Sequence, residues 1–543
     1  MAKRNYSPLE KIILFNLGVS DTGDINNWFL KSYHNEYFIK GLKEAVTFTK
    51  KFMDEEVHIV GDYDVDGTAA TSILYMGLRE YGFKKVTYHI PKRFSEGFGI
   101  NTSIIDRINS GLIITCDNGI AALDALKKAK EKGISVIVTD HHQPVVNDGK
   151  TILPDADYII DPNALPGSAV FSGYCGAGIA YKFVCELFNF EKNIRYKYLS
   201  LAALGTVCDV MELREENYVI VSNGLKTLHN PAFNRSGLNA LIKLLGLESW
   251  ISESDIGFKI GPVINACSRM KDDGAKDAVN LLTFNGNPSA AMEMADKMIA
   301  TNTERKAADK KAMKKAMEII EKENLSGLCP LTLYIPDIPE GIIGIIAGRL
   351  SEKFRVPSLV FTNITENGNT LFKGSARGYG DYNVKASFDM HPELFVRYGG
   401  HAGAAGMTIL PQNFDRLTKV LNKDAIDYTR PDSIAADILR IDEKEIPEML
   451  QILQKYAPFG EGNPRPLFCI KFSPYCKRGE YRQVLGTGLK INGRYADAVT
   501  FSDIQAFDGI NERNPLLITG ELEVNYYKGR EYPRIMIHTF EKL

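Results

Sequence analysis

The chain has 543 residues, more than one hydrophobic core normally serves, so three or four domains are expected. Its 65 Lys and Arg nearly balance 67 Asp and Glu, a formal net charge of −2, which excludes a uniformly basic nucleic-acid coat and confines phosphate binding to local basic surfaces. Eight scattered cysteines without a Cys-x-x-Cys pair argue against zinc ribbons and disulfide frameworks; with no apolar run of signal-peptide or bilayer-spanning character, a reduced, cytoplasmic protein without membrane contact is expected.

Residues 1–50 carry helical patterns, among them Tyr37–Val46, and read as a lead-in packed on the first domain. From 51 to 235, β-branched runs alternate with helical patterns, which argues for a right-handed parallel α/β unit. The run Val57–Val60 ends in Gly61-Asp62-Tyr63-Asp64-Val65-Asp66-Gly67, three carboxylates on alternate residues between two glycines that permit a tight turn. Leu112–Cys116 ends in Asp117, Ile134–Thr139 ends in Asp140-His141-His142, and the apolar stretch Leu199–Val207 precedes Asp209. All four read as strand ends, where open α/β sheets place their ligands. Carboxylate oxygens suit Mg²⁺, and two imidazoles tilt the set toward Mn²⁺. An Asp after a strand also serves as a helix N-cap or a solvated turn, but two adjacent histidines at a strand end have little structural purpose.

Residues 236–325 read as a helical connector ending in a long bridging helix, about Pro288 to Lys322. There Lys306, Lys310 and Lys314 repeat at i+4 beside Lys311 and Lys315, a basic stripe for DNA or else one face of a solvated helix with Asp309, Glu318 and Glu321 interspersed. A second α/β unit spans 326–410. Its Gly-dense turns at 374–378 and 399–403 carry Ser375, Arg377, Gly400 and His401, a pattern that lets backbone amides and a guanidinium approach phosphate, or alternatively two ordinary left-handed turns. After a helical linker, 411–460, five strand-like segments in 461–543 suggest a small barrel. Tyr481-Arg482 and the stretch around Lys528 interleave aromatic and basic groups, suited to stacking bases and neutralising phosphates, or to a plain hairpin tip.

Asp64-Val65-Asp66, Asp117, Asp140-His141-His142 and Asp209 resemble the four motifs of the DHH phosphoesterase superfamily. Gly61–Gly67, Ala203–Val210, Ile264–Met270 and Gly399–Gly406 resemble its RecJ-like single-strand-specific exonucleases. The resemblance implies two α/β domains, a DHH domain and a DHH-associated domain, joined by a long helix and followed by an OB-fold barrel. It also implies 5′-to-3′ hydrolysis of single-stranded DNA to 5′-mononucleotides, in repair and recombination, with two Mn²⁺ or Mg²⁺ ions held by Asp62, Asp64, Asp66, Asp117, His141, His142 and Asp209. Asp140 would orient a histidine, Arg269, Arg377 and His401 would hold phosphates, and a helicase and a single-strand-binding protein would work beside a monomer. Val60 stands where some relatives have a histidine, so Asp62 ranks below Asp64 and Asp66 as a ligand; Ile338–Gly344 lacks the family's Trp-His, and Ser268 replaces a glycine. A DHH enzyme of short RNA or cyclic dinucleotides shares these ligands but needs neither barrel nor bridging helix; an inactive DNA-binding scaffold would show gaps among them.

Overall fold

The computed structural model describes residues 6–16, 38–147, 149–366, 368–425, 428, 438–476, 480–485, 488–501, 507, 509–510, 513–527 and 530–543. Two compact units form: 1–264 with 275–296 and 436–543, and 265–274 with 297–435.

The first unit is built on a five-stranded parallel sheet, in spatial order Lys85–His89, Glu56–Val60, Leu112–Cys116, Ser135–Thr139 and Tyr158–Ile160. Its central strands are covered on both faces, which is why they are continuous β-branched runs rather than alternating ones. On one face Ile104, Ile105, Ile113, Leu126, Val136 and Val138 form a closed core, each side chain contributing about 1.5–3 kcal/mol by burial. Helix Val65–Tyr81 starts at an Asp64 N-cap and stops at Gly82, whose φ of 117° no branched residue adopts without strain.

The stretch Leu199–Val207 is not a strand. It lies inside helix Lys192–Cys208, buried from Leu199 to Thr206, so Asp209 caps a helix C-terminus. A helix covered on all sides loses the 3.6-residue signature, and an apolar run then reads equally as a buried strand.

The helical connector contains Ser236–Leu244, Gly261–Met270, Ala275–Thr283 and the 35-residue helix Pro288–Lys322. In that long helix Lys306, Lys310, Lys311 and Lys314 are exposed, whereas Asp309 is not part of a solvated face. Asp309 is buried against Arg305, Nη1 to Oδ2 at 2.5 Å, on the same helix face as the core residues Ala312, Ala316 and Ile320.

The C-terminal part of the first unit is a seven-stranded OB-like sheet, ordered Leu439–Asp442, Leu467–Phe472, Leu516–Tyr527, Arg530–Lys542, Asp497–Thr500, Gly488–Ile491 and Arg482–Leu485. The five expected segments are strands, and Leu439–Asp442 and Arg482–Leu485 join them. Helix Pro8–Asn16 buries Leu9, Ile13 and Leu14 in this barrel's core, and Tyr456 Oη lies 3.1 Å from Glu10 Oε1. The helix Pro8–Asn16 thus packs on the last domain, whereas Leu42–Thr49 packs on the first, against helix Gly176–Leu187, and Ile39 bridges to Ala169.

The second unit is a mixed sheet, Phe395–His401, Ala404–Ile409, Asn369–Arg377, Ser358–Glu366 and Leu331–Tyr334, parallel only in its last pair. Helix Ile343–Phe354 packs on one face; Val384–Asp389 and Phe414–Asp424 cover the other. Leu417 and Leu421 sit in that second core, so Phe414–Asp424 belongs to the sheet although it falls in the expected linker.

Candidate metal centre

Three strand ends and one helix end converge. After strand Glu56–Val60 the chain turns at Gly61, where a Cβ would lie 1.9 Å from Thr71 Oγ1, and enters helix Val65–Tyr81, in whose first turn a Cβ on Gly67 would lie 2.6 Å from the Asp62 Cβ and carbonyl oxygen. Asp64 Oδ1 accepts from Gly67 N at 3.0 Å, so this residue is an N-cap as well as a candidate ligand. Asp66 is buried and accepts from Gly176 N at 2.6 Å and Ala177 N at 2.8 Å, the opening amides of helix Gly176–Leu187, whose positive end suits a carboxylate. Gly205 must remain a glycine, because its Cβ would lie 2.3 Å from Asp66 Oδ1.

Asp117 follows its strand with φ 62°, a left-handed conformation that Asp adopts more readily than most residues. His141 Nε2 stands 3.0 Å from Asp117 Oδ1, 3.6 Å from Asp209 Oδ2 and 3.8 Å from Asp66 Oδ2. Asp140 points away from this group. Its Oδ2 accepts from Ile120 N at 2.9 Å, and its Oδ1 accepts from His141 N at 2.8 Å and lies 2.7 Å from His142 Nδ1. A proton held on Nδ1 by this carboxylate leaves Nε2 of His142 as the electron-pair donor.

Ligand atoms fall into three overlapping groups, each within 4.8 Å: Asp117, His141 and His142; Asp66, His141 and Asp209; Asp62, Asp64 and Asp117. Among the described residues, Oδ1 of buried Asp62 has no hydrogen-bond partner. An unpaired buried carboxylate oxygen is costly, and a divalent cation satisfies it. Burial, and then the charge of Asp64, push Asp62 well above the usual carboxylate range; burial and Asp66 do the same to Asp117, and raise Asp64. Asp209 rises to about 8 through burial and the charges of Asp66 and Asp64. Its place at a helix C-terminus adds a second negative end, which a cation relieves. Burial opposes charge on Asp140 too, but the hydrogen bond and charge of His142 hold it low; His142, desolvated yet paired with Asp140, rises to about 9. Burial lowers His141, as a metal-binding imidazole requires. This oxygen-rich set with two imidazoles fits Mn²⁺ or Mg²⁺.

Asp161 is an acid that sequence reading passes over. It closes the strand Tyr158–Ile160 in the manner of the other strand-end acids, and it is buried, with Oδ2 lacking a partner among the described residues. Burial, then Asp140, raise it to about 8. The neighbouring Asn163 donates from Nδ2 to the His141 carbonyl at 2.6 Å. A rim of Arg93, 4.4 Å from the Tyr63 ring centroid, and exposed Phe98, edge-on to His142 at 5.7 Å, was equally silent in the sequence, because neither residue sits in a spaced motif.

The remaining candidates occupy other places. In the second unit, Arg269 Nη1 donates to the Gly341 carbonyl at 3.2 Å. Ser375 and Arg377 are strand residues rather than turn residues; Arg377 Nη1 donates to Ser375 Oγ at 3.1 Å. A Cβ on Gly344, in the first turn of helix Ile343–Phe354, would lie 2.9 Å from Arg377 Nη2 and 3.0 Å from Ser375 Oγ, so a guanidinium, a hydroxyl and a helix N-terminus share one place. Gly400, with φ 145°, and His401 end the strand Phe395–His401; Arg377 and His401 both pair with Ala404, one on each side. Arg482 opens a barrel strand and donates from Nη1 to the Phe507 carbonyl at 3.2 Å, and the Tyr481 carbonyl accepts from Asn492 N at 2.9 Å. Lys528 lies outside the described residues.

Residues 56–206 match the DHH family N-terminal domain, 330–426 the DHHA1 domain and 439–539 the RecJ OB domain. The chain is 31% identical to the single-stranded-DNA-specific exonuclease RecJ of Bacillus subtilis, over 98% of this chain and 67% of that one. Its fold is that of RecJ from Thermus thermophilus, solved with Mn²⁺: TM-score 0.79, 23% identity, 99% of this chain and 76% of that one. It is also similar to a second solved structure, exonuclease RecJ bound to manganese, with TM-score 0.62, 26% identity and coverage of 74% and 98%. The chain belongs to the RecJ family of single-stranded-DNA-specific exonucleases.

Proposed function

We propose that the chain is a metal-dependent exonuclease that degrades single-stranded DNA from the 5′ end to 5′-mononucleotides. The observation that carries this reading is the convergence of Asp62, Asp64, Asp66, Asp117, His141, His142 and Asp209 into three overlapping ligand groups, one of which contains Asp62, whose buried Oδ1 has no hydrogen-bond partner among the described residues. The single-strand specificity of the Bacillus subtilis relative supports the substrate, and manganese in the solved relative supports the ion.

These seven side chains would hold two Mn²⁺ or Mg²⁺ ions, which when bound supply Lewis-acid activation of water and neutralise charge on the scissile phosphodiester. Asp140 fixes the His142 ring with Nδ1 toward its own carboxylate, so that Nε2 is the nitrogen presented to an ion. Arg377, Ser375 and the first turn of helix Ile343–Phe354 hold a phosphate of the strand, with Arg269 and His401 as further contacts. Tyr481 and Arg482, with Lys528, engage the strand on the barrel. We place the enzyme in the cytoplasm as a monomer acting beside a helicase and a single-strand-binding protein, in repair and recombination. No helix among the described residues is long and apolar enough to cross a membrane.

The test is digestion of single-stranded DNA labelled at either end, with Mn²⁺ or chelator, beside blunt duplex and short RNA. Metal-dependent release of 5′-mononucleotides from the 5′ end of single strands is expected. Cleavage confined to RNA oligomers of a few nucleotides, or binding without hydrolysis, would overturn the reading.

A further inference from the structure

The loop that carries the ligand Asp209 is gripped by a turn some 250 residues further along the chain. Immediately after Asp209, Val210 has φ 54°, and Glu215 has φ 50°. A left-handed backbone is a true outlier for a β-branched residue; such strain costs about 1–3 kcal/mol and persists only where the surroundings over-determine it.

Val210 itself is held by the helix end, where Val210 N donates to the Val207 carbonyl at 3.3 Å and Met211 N to the Thr206 carbonyl at 3.1 Å; the loop beyond it is held by the turn Ala457–Asn463, ahead of the barrel strand Leu467–Phe472. Leu213 N donates to the Glu461 carbonyl at 2.7 Å, and Tyr218 Oη donates to the Ala457 carbonyl at 2.7 Å. Two glycines allow this approach: a Cβ at Gly460 would lie 2.9 Å from Leu213 Cδ1, and one at Gly462 would lie 3.0 Å from Glu212 Cβ. The turn is braced internally by buried Asn463, whose Nδ2 donates to the carbonyls of Tyr456 at 3.0 Å and Pro458 at 2.8 Å. The grip extends to a second ligand. Asn217 Nδ2 donates to the Glu212 carbonyl at 3.1 Å and to the Gly173 carbonyl at 2.6 Å, tying the Asp209 loop to the segment that opens helix Gly176–Leu187, whose amides hold Asp66.

We infer that the turn 457–463 is a positioning element of the metal centre, setting Asp209 through Glu212 and Leu213 and Asp66 through Asn217, in addition to joining the barrel to the chain. The inference rests on the hydrolytic reading of the site. It separates two roles of the C-terminal region: strand binding by the barrel, which a very short substrate does not need, and ligand placement by this turn, which every substrate needs.

Gly462→Ala tests it against Gly246→Ala. Both glycines have φ +69°, so both variants carry the same backbone strain, but a Cβ at Gly246 meets nothing within 4 Å. Mn²⁺ affinity is read by electron paramagnetic resonance titration, and kcat and KM are measured on the dinucleotide pTpT and on a long single strand. Gly462→Ala is expected to lose about tenfold or more in Mn²⁺ affinity and in kcat on pTpT, as misoriented ligands do, with KM for the long strand unchanged. Gly246→Ala is expected to behave as wild type. Should Gly462→Ala fail to fold, Tyr218→Phe removes the hydroxyl that donates to the Ala457 carbonyl and is expected to show the same loss in smaller measure. Equal Mn²⁺ affinity and equal dinucleotide turnover in Gly462→Ala and Gly246→Ala, or in Tyr218→Phe and wild type, would overturn the inference while leaving the hydrolytic reading intact. Wild-type protein that neither binds Mn²⁺ nor cleaves either substrate would overturn both.

Discussion

Replacing Asp209 with Asn is expected to stabilise the metal-free protein in alkaline solution while crippling metal binding, two effects of opposite sign from one atom change. Asp209 is held at about 8 by burial and by the charges of Asp66 and Asp64, against an ordinary 3.8. The folded value lies above the unfolded one, so the protonated carboxyl is favoured in the folded state. The associated stability is fully present below about pH 3.8 and is lost as the pH rises through 8. That rise corresponds to a ceiling of roughly 6 kcal/mol. The side chain is 30% exposed and shares its proton with neighbouring carboxylates, which brings the realistic figure to about 2 kcal/mol. Asparagine carries no charge at any pH. Chelator-treated Asp209→Asn should therefore melt about 2–3 °C above wild type at pH 8.5, with the difference shrinking toward pH 5. Added Mn²⁺ should raise the wild-type melting temperature and leave the variant nearly unmoved. A lower melting temperature for the metal-free variant at pH 8.5 would refute the reasoning, because it would mean that the carboxylate is a structural cap and not a crowded ligand.

Mn²⁺ affinity should climb between about pH 6 and 9, since Asp209 near 8 and His142 near 9 must release protons to bind; a flat calorimetric profile would contradict this. Asp140→Asn should lower the His142 titration midpoint in NMR from about 9 and weaken Mn²⁺ binding by about 10–100-fold, whereas an unshifted midpoint would show that the 2.7 Å contact does not govern the ring. Gly205→Ala, which thrusts a methyl within 2.3 Å of Asp66 Oδ1, should cost about 100-fold in kcat with strand affinity retained, and near-normal turnover would show that Asp66 moves freely. Asp309→Ala leaves the buried Arg305 charge without its carboxylate, held only by Asn302 Oδ1, and should destabilise the second unit by about 2–4 kcal/mol in denaturant melts; a change under about 1 kcal/mol would place the pair in solvent.

The clustering of the candidate metal-binding residues was largely legible because its chemistry is local. Asp64, Asp66, Asp117, His141 and His142 each follow a β-branched run, and parallel strands deliver such positions to one edge of a sheet. Asp209 was legible as an acid but not as a helix cap, since a helix buried on every side has no polar face to reveal its period. Asp161 obeys the strand-end rule, and only the three-residue length of Tyr158–Ile160 concealed it. Other features depend on partners far away in the chain. Nothing near Leu9 or Ile13 tells that they pack beside Ile446 and Phe468. Asp309 read as a surface acid because its guanidinium partner, Arg305, is itself a residue expected in water. Ser375 and His401 sit in Gly-rich stretches that resemble turns, yet lie in strands because neighbouring strands complete their hydrogen bonds.

The most direct test of the metal-centre assignment is a crystal structure of the protein soaked in Mn²⁺, with anomalous scattering collected at the manganese edge. Mn²⁺ peaks are expected enclosed by Asp66, His141 and Asp209 and by Asp62, Asp64 and Asp117, with His142 as a further ligand beside Asp117 and His141, and the second peak lost in Asp117→Asn. Peaks absent from this cluster, or held by residues outside it, would contradict the assignment of these side chains as the hydrolytic metal centre.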